Sequence, residues 1–400
     1  MLDRAKRLLE LKVVCDHCLG RQVAQLTSGT TNDARGRALR GILALDYDAK
    51  PYPVKSENFA NIQFRNKKAK KAKQKSCEVC FGLFEKLPAY AAAAVRELKG
   101  IEYHTFVVGT ILSRPLATVE EEVWEEIGTE FCEPLKAEVN RELGKLISNR
   151  TGKDADEQIP DVTVTLNLAK RQFDVKIASL YVYGEYQKLV RGIPQTKWDK
   201  YRVTVEDIIA KPFMCVTKGT GHSLHALGRE DIDARCLGKR PFVLEIKNPK
   251  KRTLNLTTLR AAVNQSKKVQ IFNLRWSDVK EVVALKESRA EKSYRVLVRF
   301  KKPVTEKDLK MLKKLVGSIR QHTPTRVLHR RANKLRRRRL CSMMWKRKGK
   351  DVEFTIRGEA GLYVKELITG DNGRTQPSAA GLLKNPAVVK ALDVIAIHRN

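Results

Sequence analysis

Between Arg320 and Lys350 the chain carries thirteen Lys or Arg and no acid, and no other stretch constrains the fold as strongly. Burying unpaired charge costs too much for a packed interior to absorb such a run, so it must face solvent or a polyanion. It is the peak of a general excess: 79 Lys and Arg stand against 45 Asp and Glu in 400 residues, a formal charge of +34. Adaptation to heat or salt raises both signs together, whereas a one-sided excess is the footprint of a nucleic-acid binder. Only 6% of residues are aromatic, too few for a repeated single-strand stacking platform, so shape-reading of folded RNA fits better. No run of about 18 apolar residues is present, and the charged opening from Met1 to Val14 lacks the apolar stretch of a signal peptide. These features predict a cytoplasmic protein with no membrane segment.

Residues 1–87 contain Cys15-x-x-Cys18 and Cys77-x-x-Cys80, two pairs separated by 58 residues. Each such turn puts two sulfurs on one side of a tight loop, so two of them close a tetrahedral sphere of soft ligands. A redox dithiol needs one pair. Four protein ligands leave no open position, which predicts a structural zinc site at Cys15, Cys18, Cys77 and Cys80. His17 lies inside the first turn and reads as a bystander. Cys132, Cys215, Cys236 and Cys341 are scattered singly and read as small core residues. The lysines Lys67, Lys68, Lys70, Lys71, Lys73 and Lys75 read as a solvated loop that also touches phosphate.

Residues 88–203 read as a compact α/β module. Phe106 to Leu112 is a β-rich run, Leu135, Val139, Leu143 and Leu146 fall at helical spacing, and Val162 to Leu168 alternates with polar partners. Phe173, Val175 and Ile177 repeat that alternation, as neighbouring strands of one sheet do. Residues 204–400 read as a mixed-sheet domain, with strands over Phe242 to Ile246 and Tyr294 to Phe300. Thr305 and Asp308 cap a helix whose stripe is expected at Leu309, Leu312, Val316 and Ile319. The class is α+β.

Chemistry is most concentrated in Gly228-Arg229-Glu230-Asp231-Ile232-Asp233-Ala234-Arg235, which packs three acids and two arginines into eight residues. A carboxylate beside an Arg keeps its charge and can act as nucleophile or base without a His. Composition alone favours an ordinary surface turn with local ion pairs. Gly219-x-Gly221 is too short for a dinucleotide or phosphate-loop fingerprint.

Three elements in order resemble pseudouridine synthases: Gly228-Arg229-Glu230-Asp231, then Lys292-Ser293-Tyr294, then Gly361-Leu362-Tyr363-Val364-Lys365. The paired cysteines with Leu19-Gly20-Arg21, Arg191-x-Ile193-Pro194-Gln195, Gln321-His322-Thr323-Pro324-x-Arg326-Val327 and Gly370-Asp371-x-Gly373-Arg374-Thr375-x-Pro377-Ser378 resemble the tenth-class tRNA pseudouridine synthases of archaea and eukaryotes. The resemblance implies a zinc-knuckle region and a THUMP-like module ahead of the catalytic domain. It implies Asp231 as the catalytic carboxylate, Tyr294 stacked on the uracil, Tyr363 supporting it, Lys365 paired with Asp231, and Arg229 replacing the flipped nucleotide. It further implies tRNA bound at its T-arm and acceptor end, uridine 54 and/or 55 as target, and no organic cofactor. No obligate protein partner is evident. Arg326, Arg330, Arg331, Arg336, Arg337, Arg338 and Arg339 are the expected RNA contacts.

Two features depart from the family pattern. Leu237-Gly238-Lys239-Arg240-Pro241 reads as a shortened, basic turn, and Asp233 is a rival to Asp231. Two other readings stand beside this one. Another enzyme on the same RNA-binding modules would need a glycine-rich methyl-donor loop or a Ser-Gly-Gly thiolation loop, and neither is seen. A non-catalytic, zinc-containing RNA-binding protein would need the basic surface and the cysteines but not Asp231.

Overall fold

A computed structural model describes residues 1–66, 72–198 and 200–398, leaving aside the side chain of Arg330. Lys67, Lys68, Lys70 and Lys71 therefore lie outside the described residues, while Lys75 bonds Glu57 at 2.6 Å. The chain forms two units, Met1–Ala178 and Ser179–Asn400. Among the described residues no helix is long and apolar enough to cross a membrane. The α+β class expected from the sequence is observed.

The first unit holds helices Leu2–Leu11, Asn32–Ala49, Leu83–Glu97, Arg114–Ile127 and Leu135–Thr151. Its strands are β1 (Thr105–Ile111), β2 (Asp154–Ala155), β3 (Val162–Asn167) and β4 (Gln172–Ile177), in sheet order β2-β1-β3-β4. β3 and β4 pair antiparallel, with Val164 opposite Val175, as their alternation anticipated. One continuous core runs from Ala5 and Leu8 through Cys18, Leu83 and Phe106 to Val164. The segment around the first cysteine pair is tightly drawn in: a Cβ on Gly36 would stand 1.9 Å from the carbonyl oxygen of Asp16, so only glycine permits that helix to approach.

The second unit is built on β5 (Leu180–Lys188), β6 (Gly221–Ala226), β7 (Arg235–Lys247), β8 (Val269–Ser277), β9 (Glu291–Phe300), β10 (Gly317–His322), β11 (Leu335–Lys348), β12 (Asp351–Gly358), β13 (Thr375–Gln376) and β14 (Ala387–His398). These make one ten-stranded sheet ordered β13-β10-β11-β12-β9-β14-β7-β5-β8, with β6 also on β7. β14 runs parallel to β7 and antiparallel to β9. Cross-strand partners share a face of a sheet, so the register puts two cores on one face. Val296, Phe354 and Ile356 pack under Leu367 and Ile368, while Tyr186, Phe242 and Leu244 pack under Ile209 and Phe213. On the opposite face, Val282 of helix Val279–Glu287 packs against Tyr183 and Val243.

Three expectations change. β5 pairs with β7 and β8, so Leu180–Lys188 belongs to the second unit's sheet, and the division falls after Ala178 rather than at 203. Leu237–Pro241 is no turn: it lies within β7, with Arg240 fully buried. The helix after Thr305 has its capping box but ends at Met311. A 3-10 segment, Leu312–Leu315, follows, so Leu309, Leu312 and Leu315 are buried at spacing three, Val316 is 46% exposed, and Ile319 sits on a strand. Gly317, at φ +130, adopts backbone that no helix continues.

Candidate active site

The acidic turn Gly228–Ala234 joins β6 to β7 and rests on a buried polar network. Glu230 and Arg240 form an ion pair at 3.2 Å with both side chains at most 1% exposed. The Tyr186 hydroxyl donates to Glu230 at 2.9 Å and accepts from Gln195 Nε2 at 2.7 Å. Gln195 also donates to the Gly228 carbonyl at 3.0 Å. Lys188 Nζ donates to the carbonyls of Ile193, Asp231 and Ile232 at 3.0, 3.1 and 3.3 Å, and burial pushes its ammonium below its ordinary value. A buried charge of either sign left unpaired would be expensive, so these contacts fix the backbone from which Asp231 projects. None of the five supporting side chains was assigned a role from sequence, although Gln195, Glu230 and Arg240 lie inside segments singled out there.

Asp231 opens into a cavity of about 500 Å³ lined also by Arg229, Lys292, Tyr294, Arg326, Tyr363 and Lys365, a volume in the range of small-ligand sites. The motifs separated along the chain thus meet at one place. Arg326 Nη1 donates to Asp231 Oδ1 at 3.0 Å, and Lys365 Nζ stands 3.3 Å from Oδ2. Burial works to raise the Asp231 carboxyl, but the Arg326 and Lys365 charges outweigh it and hold the group below its ordinary value. Arg326 also donates to the buried Glu366 at 2.7 Å. Arg326, expected from sequence as an RNA contact, stands in the structure as the close partner of the acidic turn.

Lys365 lies nearer Asp233 than Asp231, at 2.7 Å. The two carboxylates differ sharply in setting: the Asp231 side chain is 27% exposed and Asp233 69%. Tyr294 leaves β9 on the cavity face beside Val296, and burial pushes its phenol up to about 12, so it stays neutral over the ordinary pH range. Lys292, two residues earlier on that face, is buried, and desolvation with Arg240 nearby lowers its ammonium to about 8. Tyr363 is bracketed by Gln321, which accepts from its amide and donates to its carbonyl, both at 2.9 Å. Arg331 Nη1 donates to the Tyr363 hydroxyl at 3.1 Å. Arg229 is exposed at the rim.

The basic run does not make one patch. Arg336 to Arg339 lie on β11, where side chains alternate between faces. Arg336 and Arg338 line the cavity, Arg336 donating to Thr323 Oγ1 at 2.8 Å. Arg337 and Arg339 are exposed on the other face. The Arg330 side chain lies outside the description.

In the first unit the Sγ atoms of Cys15, Cys18, Cys77 and Cys80 all lie within 4.8 Å of one another, with Cys15 and Cys80 3.7 Å apart. Four thiolates at ~2.3 Å from a tetrahedral ion stand about 3.8 Å apart, so the donor set could hold a metal. Val13 and Glu78 tie the two pairs together, the Glu78 amide donating to the Val13 carbonyl at 2.7 Å and the Val13 amide to Glu78 Oε2 at 2.8 Å. His17 instead bonds Glu138 at 2.8 Å and stacks on Phe84. Of the remaining cysteines, Cys132 and Cys236 are buried as expected, whereas Cys215 is exposed and Cys341 half-buried.

Residues 181–398 match the family model described as Pus10, C-terminal, and residues 90–167 the model described as Pus10 THUMP domain, archaeal. The tRNA pseudouridine synthase Pus10 of Methanothrix thermoacetophila is 40% identical, with 99% of this chain and 94% of that protein covered. Those of Thermofilum pendens and Pyrococcus furiosus are each 36% identical, covering 99% of this chain and 95% and 98% of their own length.

Proposed function

The chain belongs to the Pus10 family of tRNA pseudouridine synthases, and from that premise we propose that it isomerises uridine 54 and/or 55 in the T-loop of tRNA, with Asp231 as the catalytic carboxylate. The observation that carries this is Asp231 itself: an ionised carboxylate, held between Arg326 at 3.0 Å and Lys365 at 3.3 Å, facing a cavity that Tyr294 also lines.

A uracil stacked inside a folded T-loop must be flipped out to be reached, at a cost of a few kcal/mol. Arg336 and Arg338 on the cavity face offset that cost through phosphate contacts, and Arg229 at the rim fills the space the nucleotide leaves. Tyr294 offers the flipped ring an aromatic face, supported by Tyr363. Asp231 then acts at the sugar or base to break the bond between N1 and C1′. The freed ring rotates in a closed pocket, C5 bonds to C1′, the C5 proton is lost and N1 gains one. Substrate and product have the same atoms, so nothing is consumed, and we assign no organic cofactor to the reaction. Exclusion of water keeps the uracil from escaping during the rotation.

The THUMP-matching segment is the part we assign to the acceptor end of tRNA, with the four cysteines holding a structural zinc in the same unit. The reaction takes place in the cytoplasm. The test is direct: incubate unmodified tRNA with the protein and map pseudouridine chemically. We expect it at position 54, 55 or both. A tRNA that stays unmodified, or gains a methyl or thio group instead, contradicts the proposal.

A further inference from the structure

The strand order that gathers the active-site motifs on one face leaves a second arginine cluster on the other. Arg320 on β10 stands directly opposite Arg337 on β11, with Arg339 opposite Ser318. Two strands further along, Arg295 on β9 is the partner of Thr355 on β12. All four arginines are exposed. Among the described residues, none of their guanidinium groups has an acidic or hydrogen-bonding partner.

The acids of this face are engaged elsewhere. Glu291 pairs with Arg357 at 2.7 Å, Asp351 with Arg299 at 2.6 Å, and Glu353 with Lys348 at 2.7 Å. Asp393, opposite Arg295 on β14, is held by Arg191 and Arg235 at 2.5 and 2.7 Å. Glu359, beside the run, accepts from the Arg339 amide at 3.0 Å and faces Arg338 at 3.9 Å. Like charges placed directly opposite across an antiparallel pair are destabilising, and here Arg320 and Arg337 occupy such a pair without a counter-ion from the chain. The arrangement costs the free protein stability, and a polyanion lying on the sheet relieves it.

We propose that the face of the second unit's sheet opposite the active-site cavity is a separate RNA-binding surface, in which Arg295, Arg320, Arg337 and Arg339 hold backbone phosphates of an RNA segment beyond the nucleotide in the cavity. It rests on RNA being the partner, as proposed above, and adds a surface that the reaction itself does not require. Guanidinium groups that hold backbone phosphates give affinity without sequence preference.

The test uses the full chain, fluorescein-labelled unmodified tRNA, and binding isotherms across a range of potassium chloride. In Arg295→Gln/Arg320→Gln/Arg337→Gln, three phosphate contacts disappear. The plot of log affinity against log salt should become shallower by about two to three, and affinity near physiological salt should fall about tenfold or more. The corresponding triple Lys variant keeps the charge and should keep the slope. Thermal midpoints of the free proteins report folding separately, and the Gln variant should melt no lower than wild type because the opposed pair is gone. A slope unchanged in the Gln variant overturns the proposal. So does binding to phosphatidylserine vesicles that the Gln variant loses while its tRNA slope stays put, which would make the face a membrane surface. Because these isotherms need no turnover, a protein that forms no pseudouridine but shows the slope change would sink the proposed reaction and leave this surface standing.

Discussion

Asp231 and Asp233 are separated by one residue, yet their surroundings differ enough to divide the roles. Asp231 is largely enclosed and faces two cations, while Asp233 is mostly in solvent and shares Lys365. Arg326 is the partner that sequence did not assign to this carboxylate, and it supports a pH prediction with a definite sign. The Asp231 carboxyl is held below its ordinary value by Arg326 and Lys365 against burial, so in wild type it stays ionised to low pH. Removing Arg326 leaves the burial and takes away one cation, so the carboxyl rises. In Arg326→Ala the acidic limb of kcat/KM should move to higher pH, whereas a merely structural loss would lower activity evenly across pH. By linkage, a depressed carboxyl adds stability above its unfolded value that is lost as pH falls through the folded one. Wild type should therefore lose more stability than Arg326→Ala on acidification, measurable by thermal melts over that range.

At the level of elements, the acidic turn is only as ordered as the network under it. Arg240→Ala leaves Glu230 buried without its cation and should destabilise the second unit by about 3–5 kcal/mol, read by denaturant unfolding. Glu230→Leu/Arg240→Met removes both charges and should cost clearly less. This network was hard to read in the sequence because Tyr186, Lys188, Gln195, Glu230 and Arg240 come from separate segments that only the β5–β7 pairing brings together. The motif residues themselves were legible: Asp231, Tyr294, Tyr363 and Lys365 sit in short signatures, and all four line one cavity. The arginine run shows the opposite case. Four identical residues carry no visible period, so nothing in the run announces that a strand sends Arg336 and Arg338 one way and Arg337 and Arg339 the other. The helix expected to reach Ile319 failed for a readable reason, since Gly317 was the stop signal and the spacing-three leucines suited a 3-10 turn.

Over the whole molecule, the two units should separate thermodynamically. The cysteine donors lie in the first unit and the acidic turn in the second. Cys15→Ser should lose bound zinc, measured by elemental analysis of clean protein, and should lower the melting of the first unit by about 10 °C or more while leaving the second near its own midpoint. Metal-free wild-type protein of unchanged stability would rule out that role. Sequence located the four cysteines that come together because cysteine pairs at fixed spacing need no tertiary information. It placed the domain boundary too late, since a strand's sheet membership is set by its partners and nothing in Leu180–Lys188 alone names them. Composition pointed to a polyanionic partner through its excess of 34 positive charges, although how that charge is distributed over two sheet faces became visible only in the fold.

The central claim, that Asp231 performs the isomerisation, is tested most directly by comparing Asp231→Asn with Asp233→Asn on unmodified tRNA, with pseudouridine mapped chemically. Loss on the order of 10⁴-fold or more in the first, with the second within about fivefold of wild type, is the expected result. Full activity in Asp231→Asn with loss in Asp233→Asn would contradict it and move the chemistry two residues along the turn.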